Sequence, residues 1–205
     1  MLIVGTDPLE VDRLLRRGVL RCPGCAGELR PWGHARIRRI RGGSGSGGGA
    51  VVLVVRPRRS SCSGCGRTHV LISASMLVRR ADVVVVIGAA LVAKAAGAGH
   101  RSIAAALGRP VSTVRGWLRR FTARAGAWRV SFTGLLHALD PLAGPIAVRA
   151  CVVGDAVEVL GLAAAAAARR FGPRPPWQFA SAASGGLLLG PVPIAASGVR
   201  VANTS

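Results

Sequence analysis

The sequence predicts an α+β protein, and three stretches predict it. Two CxxC pairs, Cys22-Pro-Gly-Cys25 and Cys62-Ser-Gly-Cys65, bracket a segment rich in arginine and β-branched residues. Gly99 to Phe121 carries the spacing of two short helices with a break between them, and residues 131–172 are rich in alanine and poor in charge. The first stretch implies a small metal-centred β unit, the second a helical hairpin, the third more helix. The expected order is an N-terminal helix in 1–21, a zinc ribbon in 22–72, a mostly α-helical helix-turn-helix domain in 81–124, an Ala-rich helical part in 131–172, and a Pro/Gly-rich, poorly ordered tail in 173–205.

The first helix has a start signal and a stop signal. Asp7 can cap it with Pro8 at the first position and Glu10 as a capping-box partner; Leu9, Val11, Leu14 and Leu15 give it an apolar side, and Gly18 ends it. Beyond it, the two CxxC pairs are separated by 36 residues. Each spacing is that of a tight turn aiming two sulfurs at one point, and two such turns make the tetrahedral thiolate set of structural zinc, with Cys22, Cys25, Cys62 and Cys65 as ligands. Two disulfides are the alternative, which a secreted protein would favour; the N-terminus lacks the features of a signal peptide, so zinc is expected. Between the pairs, residues 28–41 alternate, the Gly/Ser run from Gly42 to Gly49 reads as a loop at the hairpin tip, and Ala50 to Val55 as a strand. His34 and His69 are near enough in sequence to replace one thiolate but read as polar surface residues, and Cys151 reads as a small buried hydrophobe.

The helical hairpin follows a long apolar helix expected over Ala81 to Ala96. Ile103, Ala106 and Leu107 form one face of its first helix, Gly108 closes that helix, and Pro110 prevents its continuation. Ser112 or Thr113 can cap the second helix, whose buried stripe is Val114, Trp117, Leu118 and Phe121. The opposite face presents Ser112, Thr113, Arg115, Arg119 and Arg120. Such a helix fits the major groove of DNA, where arginine can hold guanine O6 and N7 together. A solvated basic face on an ordinary hairpin is the plain alternative.

Charge narrows the choice. The chain has 28 basic and 8 acidic residues, a net +20, and the first 130 residues hold 23 of the basic ones. That distribution through folded-looking segments points to a polyanion, nucleic acid ahead of a membrane surface. Arg36, Arg38 and Arg58, with Arg39, Arg41, Arg56 and Arg59, are expected to contact phosphates from the ribbon. No membrane span is expected: the apolar run from Val83 to Ala93 is 11 residues long, and Phe179 to Val199 is broken by glycine and proline. Beyond Arg124 the acids are Asp140, Asp155 and Glu158, read as surface acids and too few and too scattered for a two-metal nuclease. No catalytic residue and no small-molecule substrate are expected, and the location is expected to be cytoplasmic. A third helix near 152–170 should end at Arg169-Arg170, with Trp177 and Phe179 packing back onto the folded part.

On CPGC, CSGC with GRTH, and GHRSIAAALGRPVSTVRGWLRRF, residues 20 to 125 resemble the N-terminal, end-binding region of bacterial insertion-sequence transposases of the zinc-ribbon plus helix-turn-helix kind. They are similar also to actinobacterial helix-turn-helix proteins that lack the nuclease domain. The resemblance implies zinc on the four cysteines and DNA reading by Ser112, Thr113, Arg115 and Arg119. It implies a sequence-specific double-stranded DNA-binding protein, transposase-derived or regulator-like, which can be a homodimer. Two alternatives stay open: the end-binding subunit of a transposase whose nuclease is on another chain, and a zinc-ribbon adaptor that binds protein or RNA.

Overall fold

The computed structural model describes residues 1–44, 50–148 and 151–190. Its elements are β1 (Leu2–Val4), α1 (Pro8–Arg16), β2 (Leu29–His34), β3 (Arg38–Ser44), β4 (Ala50–Val55), β5 (Arg58–Cys62) and β6 (Thr68–Ser73), then α2 (Val84–Ala95), α3 (His100–Leu107), α4 (Val111–Thr122), α5 (Ala125–Leu139), α6 (Val152–Phe171) and α7 (Pro176–Ala183). This is the expected α+β arrangement, strands first and helices after.

α1 starts as its sequence dictates, with the Asp7 carboxylate accepting the Leu9 N–H at 2.9 Å. Glu10 does not close a capping box. It pairs instead with Arg13 one turn on, which a longer side chain in reach of a cation favours. The four-stranded sheet runs β1-β6-β5-β2. β6 and β5, and β5 and β2, are antiparallel, whereas β1 lies parallel to β6 with Leu2 opposite Leu71 and Ile3 opposite Ile72. β3 and β4 form a separate hairpin inserted between β2 and β5; its tip, residues 45–49, lies outside the described residues.

Alternation along β1 and β6 divides the interior in two. Val4 and Leu71 face a small core with Val11, Leu15, Leu20, Leu29 and the sulfurs of Cys22 and Cys62. Ile3 and Ile72 face a large one that runs without a break through α2 to α7. α2 is its axis and is apolar nearly all round, as the sequence indicates. It begins at Val84 and not at Ala81, because residues 81–83 are held extended beside β3: Arg41 donates its N–H to Ala81 O, and Val83 donates to Arg41 O.

The second half of the chain departs most from expectation. α5 crosses the region left between 124 and 131 as one continuous helix, burying Trp128, Phe132, Leu135 and Leu136. α6 matches the expected helix and buries five of its alanines. Asp155 is buried and Glu158 half-buried, so neither is the surface acid expected. The stretch from 173 onward is not a loose tail as far as residue 190. α7 packs on α2, Trp128 donates its indole N–H to Leu188 O at 3.0 Å, Ser181 Oγ donates to Met76 O at 2.7 Å, and Leu188 and Leu189 are buried. The contact is tight enough to dictate residue type: a Cβ on Gly88 in mid-α2 would lie 2.1–2.4 Å from the indole of Trp177. The remainder of that expected tail, 191–205, lies outside the described residues. No helix among the described residues is long and apolar enough to cross a membrane.

Candidate metal centre and nucleic-acid interface

The two CxxC turns are built alike. In each, the first cysteine's N–H donates to the carbonyl five residues on, to Gly27 from Cys22 and to Arg67 from Cys62; its own carbonyl accepts the N–H four residues on, from Ala26 and from Gly66. The residue at that fourth position is left-handed in both turns, with φ +59° at Ala26 and +70° at Gly66. Alanine carries a steric cost there that glycine does not. Ala26→Gly is therefore expected to stabilise the protein by about 1 kcal/mol, and Gly66→Ala to destabilise it by a similar amount; denaturant midpoints of the metal-loaded variants check both.

The turns bring four sulfurs together. Cys25 and Cys62 Sγ are 3.4 Å apart, Cys22 and Cys65 Sγ 3.8 Å, and all four lie within 4.8 Å of one another. All are free thiols, which sets aside the disulfide alternative. Gly27 permits this approach, since a Cβ there would fall 2.9 Å from Cys62 Sγ and 3.1 Å from Gly64 N. The backbone N–H of Cys65, aided by that of Gly64, draws the Cys62 thiol down to about 6 despite its burial. Cys25 receives the Gly27 N–H, but the adjoining sulfurs of Cys62 and Cys65 outweigh it and push the thiol up to about 12. Four thiolates this close repel, so all four ionise together only around a cation. The cluster can hold a metal ion.

His69 is not the surface residue expected. It is buried on β6, with Nε2 within hydrogen-bonding reach of Cys22 Sγ at 3.4 Å. The sequence offers it as a neighbour of the second CxxC pair; the pairing of β5 with β6 holds it on the sheet beside the first. His34 is exposed, as expected.

The helical site is assembled around Gly108, whose φ of +58° turns the chain between α3 and α4. α4 buries Val114, Trp117, Leu118 and Phe121, the stripe its sequence announces. α3 buries Ile103 and Ala104, while Ala106 is exposed. Neither Ser112 nor Thr113 caps α4; Pro110 occupies the cap position and offers no side-chain acceptor. Ser112, Arg115 and Arg119 are exposed and Thr113 half-buried. Arg120 turns back to donate to Gly116 O at 3.1 Å. Arg115 and Arg119 join Lys94 and His100 along an open groove of about 490 Å³.

Residues 84–127 match a Homeodomain-like domain of the helix-turn-helix type. The matched segment covers α2, α3, α4 and the start of α5. No curated protein and no solved structure matches the chain.

The turn of this domain is anchored to the strand region by a buried ion cluster. Asp82, 2% exposed, accepts from Arg109 Nε at 2.7 Å and from Arg41 at 3.1 and 2.7 Å. Arg109 sits between the hairpin helices and also donates to Leu107 O, Gly108 O and Gly42 O. Of the ribbon arginines, Arg36 is exposed and Arg38 half-buried. Arg58 is engaged elsewhere, in an ion pair with Asp12 of α1 and 3.1 Å from His34 Nε2.

Proposed function

We propose that the protein is a sequence-specific double-stranded DNA-binding protein, transposase-derived or regulator-like, in which α4 reads bases and a structural zinc ribbon supports it. The observation that carries this reading is the two-sided character of α4: a fully buried apolar stripe on one side, and Ser112, Arg115 and Arg119 open to solvent on the other, within the matched domain. Zinc is the metal proposed for Cys22, Cys25, Cys62 and Cys65. Tetrahedral Zn–S bonds of about 2.3 Å put sulfurs about 3.8 Å apart, which these four approach, and a complete thiolate shell leaves no position for a reacting water. Arg36 and Arg38 are proposed as phosphate contacts, and a homodimer as the bound species on a two-fold site. No catalytic role is proposed.

The test separates reading from positioning. Arg115→Ala or Arg119→Ala is expected to cost ~1–3 kcal/mol on a selected duplex site and to relax discrimination there. Arg36→Ala is expected to weaken all sequences alike and to lower the salt slope by about one unit. Affinity against salt, on selected and random duplexes, measures both. Uniform loss from the α4 variants would remove α4 as the reader.

A further inference from the structure

Beyond the helix-turn-helix, the strand region carries an exposed tryptophan that nothing in the fold uses. Trp32 lies on β2, the outer strand of the four-stranded sheet, and is 61% exposed. The other tryptophans are placed differently: Trp117 and Trp128 are buried and Trp177 half-buried against α2. Among the described residues no aromatic ring and no cation packs on the Trp32 indole.

The backbone is shaped to hold it out. Pro31 pairs with Ser60 and His34 with Arg58, so Trp32 and Gly33 together oppose the single residue Arg59. This is a bulge, and Gly33 adopts φ +94° within it. Bulges re-aim a side chain at the cost of ladder pairing, here to set a large apolar surface in water. Its surroundings are cationic. Arg30, His34 and Arg36 are exposed on the same segment; Arg59 is half-buried across the bulge and donates to Thr68 Oγ1 at 3.5 Å; two acids lie close by, Glu28 at 3.5 Å from Arg30 and Asp12 paired with Arg58. An exposed π surface on a strand segment that also carries exposed arginines is an arrangement that binds unstacked bases: the ring stacks on the base while the cations hold the phosphates. A matched duplex offers no such face, since its bases are stacked on one another.

We propose that the bulge at Trp32–Gly33 is a binding site for an unpaired base of DNA, in which Trp32 stacks on the base and Arg36 and Arg59 hold the adjoining phosphates. The site engages a strand separated from its complement, and it acts independently of α4. It therefore extends the DNA-binding reading to an opened or frayed duplex.

The experiment uses the metal-loaded full chain and an unstructured single-stranded DNA of ~12 nucleotides, with a matched duplex and an RNA of the same sequence as comparisons. Trp32 is the exposed one of the four tryptophans, so the single strand should quench part of the emission, and that quenching should be absent in Trp32→Ala. Trp32→Ala should lower single-strand affinity roughly tenfold or more, and Trp32→Phe should retain most of it. Matched-duplex affinity should change less than ~2-fold, since duplex bases are not free to stack. Arg115→Ala should show the reverse pattern, so that failure at α4 and failure at Trp32 are told apart. Unchanged single-strand binding by Trp32→Ala overturns the site, as do equal losses on single strand and duplex, a Phe variant as weak as the Ala one, or binding confined to RNA.

Discussion

Removing the metal with a strong chelator is expected to unfold the ribbon and leave most of the helical part folded. The small core contains Cys22 and Cys62 themselves, so it loses its walls once the sulfurs separate. Apparent binding energies for such thiolate sites are on the order of 10 kcal/mol, comparable with the stability of a whole domain. The large core shares none of these sulfurs. Hydrogen exchange should therefore show lost protection along β2 and β5, retained protection in α2, α5 and α6, and recovery when zinc is returned. Helical protection lost in parallel with the ribbon would mean that the two cores are one cooperative unit.

The second large effect is expected at Asp82. This carboxylate is buried and accepts from two arginines, one of which, Arg109, is itself 2% exposed. Asp82→Ala leaves a buried guanidinium without a counter-charge, a change that typically costs 3–5 kcal/mol or about that range. Arg41→Ala should cost less, because Arg41 is partly open to water. Pairing Asp82→Leu with Arg109→Met should restore much of the loss, since no lone charge then remains buried. Urea midpoints of these variants decide it. The single Asp82 variant should also bind DNA more weakly, because Arg109 fixes the turn that aims α4.

What could be read in advance was whatever the chain encodes locally. The CxxC turns, Gly108 and the stripe from Val114 to Phe121 each follow from residues within a turn or two of one another. What could not be read depends on partners far along the chain. Arg109 looks like any other cation of a basic hairpin; it is buried because Asp82, 27 residues earlier, is held beside it. His69 reaches Cys22 only through β5–β6 pairing. β1 is three residues long, too short for any periodicity, and is a strand because β6 lies alongside. α7 was obscured by its surroundings of proline and glycine, although Pro175 and Pro176 in fact sit where a helix begins. Asp155 resembles a surface acid until α6 is seen to be covered on that side.

The parallel pairing of β1 with β6 has a consequence for the order in which the protein can form. Leu2 must wait for Leu71, and Ile3 also meets Gly186, where an added Cβ would lie 2.8 Å from its side chain. Leu188 and Leu189 belong to the same large core. As the chain leaves the ribosome, α3 and α4 emerge and coil locally well before this core is complete. Such distant closures slow folding and leave apolar surface open in the interval. α4 is thus made early, while the core it belongs to is closed late, only when nearly the whole described chain has been synthesised.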